Sequence, residues 1–155
     1  MSWGIKMKLL VSLILSLTLF ACSILKVEQT DLYKEYVKQT QAVKNNTIVA
    51  NRKLFFTSEY LKEVDLTDEK SLLPLNLSKY VHQVSSRYQK LEGQKGCLSV
   101  NGIEINEDPV TIYVEYKKEQ DLWLVDYMFL HLIENNEDYA KDALCPREVE
   151  SMIFK

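Results

Sequence analysis

The hydrophobic period of this chain changes once, after Gly96, and that change restricts the fold more than any other feature. Before it, apolar residues recur near helical spacing: Leu32, Tyr36 and Val43, then Ile48, Leu54, Phe55, Tyr60, Leu61 and Val64, then Leu77, Tyr80, Val81, Val84, Tyr88 and Leu91. After it, Cys97-Leu98-Ser99-Val100 alternates, and Val110, Ile112, Val114 and Tyr116 alternate again. The first spacing lines one face of a helix and the second one face of a strand. Helices followed by a run of strands predict an α+β fold, with N-terminal helices packed on a curved antiparallel sheet.

Boundary residues divide the pattern. Thr30 is placed to cap a helix over 31–45, with Asp31 in its first turn. Asn45-Asn46 ends it, and Thr47 opens a second helix that reaches Val64. Residues 65–75, with acids and Pro74, read as a loop. Asn76 caps a third helix, closed by Gly93. Asn101-Gly102 is the strongest short hairpin signal in the chain. "VTIYVEY" (110–116) is a strand, and 117–121 a charged turn. "LWLVDYMFLHLI" (122–133) is apolar on both faces. It needs helices on one side and a pocket, a partner or the tail on the other. Residues 137–144 read as a short helix, and 146–155 as a tail of unassigned structure.

The N-terminus reads as an address. Lys6 and Lys8 precede an apolar run over 9–20 that stops at Ala21-Cys22. These are the parts of a secretory signal. The run is too short for a comfortable membrane span, which takes about 20 residues. Leu19-Phe20-Ala21-Cys22 resembles the lipobox of bacterial lipoproteins, with Phe20 bulkier than usual at its position. The resemblance implies that the Cys22 thiol is acylated and that 1–21 is cleaved. A lipidated tether over 22–30 and a single domain over 31–155 then remain. With Ser23 next, it also implies a lipid-anchored protein on the periplasmic side, the outer membrane favoured. An ordinary signal peptide with a chance cysteine, or a simple anchor helix, is the plainer alternative. One acyl chain holds a protein marginally, and two or more hold it stably.

Removing 1–21, which carries two lysines and no acid, takes 155 residues to 134 and the net charge from −3 to −5. That length suffices for one domain with a core. The acidic balance argues against a nucleic-acid partner, which wants a basic face, and against broad adhesion to anionic lipid. Cys97 and Cys145 are left, and two thiols in an oxidising compartment pair; two buried free cysteines are the alternative. No CxxC is present, and His82 and His131 have no ligand spacing to the cysteines. No metal or other cofactor is expected.

"LYKEYVKQTQAVKNN", "RKLFFTSEYLKEV" and "DLWLVDYMF" in that order resemble the nuclear transport factor 2-like superfamily. Residues 54–61 match its "lfspeyl" phrase, and Trp123-Leu124-Val125 its "W-x-V" strand. The resemblance implies a cone-like sheet wrapped on N-terminal helices. It implies no activity, because the superfamily holds isomerases and dehydratases beside non-enzymatic binding and assembly domains.

Among polar residues, Asp126 stands in an apolar strand and is a general-base candidate. The blander role is a rim carboxylate or a lysine partner. Tyr127, Phe129 and His131 share a strand face by alternation. With Tyr113 and Trp123 they form the expected binding surface, for an unknown protein or a small apolar ligand. The function expected is a membrane-anchored periplasmic binding or assembly module. The alternatives are a small isomerase- or dehydratase-like enzyme using Asp126, or an immunity-type toxin inhibitor.

Overall fold

The computed structural model describes residues 30–155 except Leu66, Asp68 and Glu69. The expected signal segment, Cys22 and all of the tether but Thr30 lie outside the described residues. Asp31–Lys155 packs as one unit. No helix among the described residues is long and apolar enough to cross a membrane.

Helix α1 spans Leu32–Lys44. Its cap is Asp31, one residue later than expected, because the Asp31 carboxylate accepts the Tyr33 N–H at 3.1 Å. It buries Leu32, Tyr36, Gln39 and Val43, one stripe of the helix. The expected second helix is instead broken into turns, a 3₁₀ turn at Arg52–Leu54 and the short α2, Ser58–Lys62. Residues 55–57 do not join a helix because their backbone is committed to the sheet. The Val125 N–H donates to Phe55 O at 2.7 Å, and the Thr57 N–H to Val125 O at 2.9 Å.

The expected loop over 65–75 and the third helix over 76–93 are also corrected. Lys70–Tyr80 forms successive 3₁₀ turns. Leu72, Leu75 and Ser78 recur every three residues there, and the last two are fully buried. Three per turn is the 3₁₀ period. Residues Gln83–Glu92 are strand.

Four strands follow: β1 Gln83–Glu92, β2 Lys95–Ile103, β3 Pro109–Glu119 and β4 Leu122–Leu132. They make an open antiparallel meander in chain order. The first hairpin turns at Gly93, whose φ of 63° favours glycine. Asn101-Gly102 is therefore not a hairpin but lies within β2. Gly102 is needed there because a Cβ would run into the carbonyl of Gln83 and the side chain of Val81.

One sheet face carries Leu98, Val100, Ile112, Val114, Tyr116, Val125 and Met128, and packs on α1 and the 3₁₀ run as the main core. The other carries Cys97, Ser99 and Asn101 of β2, Thr111, Tyr113 and Glu115 of β3, and Tyr127, Phe129 and His131 of β4. The C-terminal segment lies on this second face. Within it, 137–144 is not the expected helix: a 3₁₀ turn at Asn136–Asp138 leads into an extended stretch. The tail then forms α3, Pro146–Ile153, with proline at its first position.

Candidate functional site

The second face is built on the polar column of β2. Asn101, fully buried, holds the backbone of Ala140 at both ends. Its Nδ2 donates to Ala140 O at 2.8 Å, and its Oδ1 accepts the Ala140 N–H at 3.1 Å. The same Oδ1 accepts from the Thr111 hydroxyl at 2.8 Å, and the same Nδ2 reaches Ser86 Oγ at 2.9 Å. Two residues along, Ser99 Oγ accepts the Leu144 N–H at 3.0 Å. Two further, Cys97 lies at disulfide distance from Cys145, with Cα atoms 5.1 Å apart. Outside this column the Tyr139 hydroxyl donates to Gly102 O at 2.7 Å. Alternate residues of one strand point to one face, so a single column straps the C-terminal segment to the sheet.

Tyr113, Tyr127, Phe129 and His131 come together on this face. Tyr113 is buried with Ala140 and Val149, and burial pushes its phenol above the ordinary range. Phe129 stacks on Tyr113 and on His131, at 6.4 and 6.2 Å between centroids. Tyr127 stands over the edge of Tyr60, and its hydroxyl donates to Glu150 Oε1 at 2.8 Å. Burial, reinforced by Glu150, raises Tyr127 to about 12.

Trp123 is not with them. The ladder pairs Glu115 with Tyr127 but Tyr116 with Val125, so Asp126 is an extra residue in β4. A bulge of one residue reverses the faces on either side of it. Trp123 therefore packs against the main core. Asp126 itself accepts the Thr57 hydroxyl at 2.8 Å, while Thr57 Oγ1 accepts the Tyr60 N–H at 3.2 Å. Its visible work is to orient the cap of α2. His82 is exposed beyond the 3₁₀ run.

No family model, no curated protein and no solved structure matches this chain.

Three residues of the face were not singled out in the sequence, and all lie in the last nine. Arg147 lies over the Tyr127 ring at 5.2 Å. Glu150 takes the Tyr127 hydroxyl. Phe154 meets Phe129 edge-on at 6.4 Å. Their signal was the spacing of Pro146, Val149 and Ile153, one short amphipathic stripe. Among the described residues, no cluster of three or more His, Cys, Asp or Glu could hold a metal ion. The face offers stacked aromatic rings beside fixed charges, with the strap covering its centre.

Proposed function

We propose that this chain is an exported, lipid-anchored, non-catalytic binding module that presents the aromatic corner of Phe129, His131 and Phe154 to a protein partner. One observation carries the reading. Phe154 is 75% exposed and stands edge-on against Phe129, which stacks on His131. An exposed ring that continues a row of partly exposed ones marks an interaction site, whereas an isolated one does not.

The anchor is acylated Cys22, after cleavage of 1–21, and it holds the domain on the periplasmic side with the outer membrane favoured. Supporting it are the basic residues, apolar run and Ala21-Cys22 ending of the sequence. The Cys97 and Cys145 pairing suits an oxidising compartment. The cone-like member of the α+β class belongs to the same proposal, supported by the packing of α1 on one face of the meander.

Two experiments test this. Cys22→Ser should move the protein from the detergent fraction to the soluble fraction, or leave it unprocessed; equal membrane retention would remove the anchor. In a deletion strain, Phe154→Ser at parental protein level should fail to complement, while Asp126→Asn should succeed. The reverse outcome would replace the binding reading with a catalytic one.

A further inference from the structure

A second feature of this face, separate from the aromatic corner, points to a small ligand. Lys90, Cys97, Glu115 and Tyr127 are neighbours along one row of the sheet. The first turn of α3 lies above this row, joined to it through Cys97 and Cys145. Between them is a cleft of about 290 Å³. Its charged lining is balanced, with Lys90, Lys95 and Arg147 against Glu92, Glu115 and Glu148.

These charges are not equally satisfied. Lys90 and Glu148 pair at 3.4 Å and form one neutral wall. Glu148 also accepts the Cys145 N–H at 3.0 Å, which fixes that wall to the start of α3. Glu115 is 7% exposed. Its one ionic contact is Lys95 at 3.7 Å, through a lysine that is largely in solvent. Among the described residues, no N–H or O–H donates a hydrogen bond to its carboxylate. Its carboxylate oxygens keep access to the cleft, where a donor on a ligand can reach them. Arg147 has no carboxylate within ion-pair distance among the described residues, and its guanidinium rests on the Tyr127 ring. Its planar fork of donors suits a carboxylate or phosphate.

We infer that this cleft binds a compact zwitterion, with the ligand's ammonium on Glu115 and its anionic group on Arg147. A ligand carrying only an ammonium meets Lys90, Lys95 and Arg147. One carrying only an anion meets the buried Glu115. A ligand with both, a few bonds apart, gives Glu115 a hydrogen-bond donor and Arg147 an anionic partner, and leaves the neutral site neutral. The volume lies at the small end for ligand pockets, which suits a free amino acid or a phosphoethanolamine group. The first would come from solution and the second from a lipid headgroup, and the chemistry of recognition is the same.

The test is calorimetric titration of the full chain in a non-ionic detergent. The probes are L-alanine, O-phosphoethanolamine, ethylamine and acetate. At least one zwitterion should bind with Kd below about 1 mM, and ethylamine and acetate at least about 10-fold more weakly. Binding of alanine assigns a free amino acid; binding of phosphoethanolamine alone assigns a headgroup. Arg147→Gln and Glu115→Gln should each weaken the zwitterion at least about 10-fold. Arg147 is exposed, so its variant decides the matter if Glu115→Gln fails to fold. The inference is overturned if neither zwitterion binds, if acetate binds as well as the zwitterion, or if Arg147→Gln binds like the parent.

Discussion

Asn101 and Tyr116 are both buried polar side chains, and they should respond in opposite ways to losing their polar atoms. The Asn101 amide uses both ends and makes four hydrogen bonds, two of them to the Ala140 backbone. Truncation leaves a buried N–H, a buried C=O and the Thr111 hydroxyl without this partner. Each such orphan costs about 1–3 kcal/mol. Asn101→Ala should therefore cost about 3 kcal/mol in urea denaturation with the disulfide intact, and Asn101→Asp no less, since a carboxylate cannot donate to Ala140 O. A loss below about 1 kcal/mol would mean that the strap does not depend on this side chain. Tyr116, by contrast, has a buried hydroxyl with no hydrogen-bond partner among the described residues. Removing an unsatisfied polar atom from a core relieves desolvation and leaves the ring packing intact. Tyr116→Phe should hold or raise the melting temperature, and a clear fall would show that the hydroxyl has a partner after all.

The strap over 134–155 is the element whose attachment is most testable. Cys97 and Cys145 are 48 residues apart, and the chain-entropy model puts the value of closing such a loop at about 4 kcal/mol. Cys145→Ser should lower stability by up to about that amount. Hydrogen exchange should rise first over 139–153, while β2 and β3 stay protected. Uniform loss of protection would instead make the strap part of one cooperative unit. The sequence announced some elements and hid this one, for identifiable reasons. α1 and β3 carry clean periods over ten or more residues and are where the spacing puts them. β1 imitates a helix because its ladder skips a residue between Val84 and Ser86. Val84 and Leu91, seven apart, would face opposite ways on a regular strand, but the skip turns both onto the main core. The skip at Asp126 separated Trp123 from the aromatic row in the same way. The strap was illegible because its attachment points, Ser99 and Asn101, look like ordinary polar strand residues. Their partners lie about forty residues downstream, and one sequence carries no record of such pairs. Without the strap, Arg147 and Phe154 could not be placed beside this face, although alternation put Tyr127, Phe129 and His131 on it.

Among the described residues, the ionisable groups most displaced by folding are tyrosines, and this sets where stability falls with pH. Burial raises Tyr36, Tyr60 and Tyr113 above 10.0, raises Tyr116 well above it, and raises Tyr127 to about 12. A phenol whose folded value is raised contributes its full stability only while the unfolded chain keeps the proton as well. Below 10.0 both states keep the proton, so the full stability is present. Above it the unfolded chain releases protons that the folded chain retains, and stability falls with each further unit until the folded groups titrate. On the acid side, Glu59, Asp65 and Glu148 are lowered by hydrogen bonds from Lys62, Thr67 and the Cys145 N–H respectively. Their contribution is present above their unfolded values and is lost as pH falls through the folded ones. All three are exposed to solvent, where such interactions are weak. The melting temperature should therefore drop more steeply from pH 10.0 to about 12 than over an equal interval through the carboxylate range. Tyr127→Phe removes one of the raised phenols and its bond to Glu150, so its melting temperature should depend less on pH within that alkaline window. The measurement is a series of calorimetric melts of parent and variant from neutral to alkaline pH, with the disulfide checked at each point. Parallel curves for the two proteins would show that Tyr127 ionises alike in the folded and unfolded chains, and would leave the alkaline loss to the four more deeply buried tyrosines.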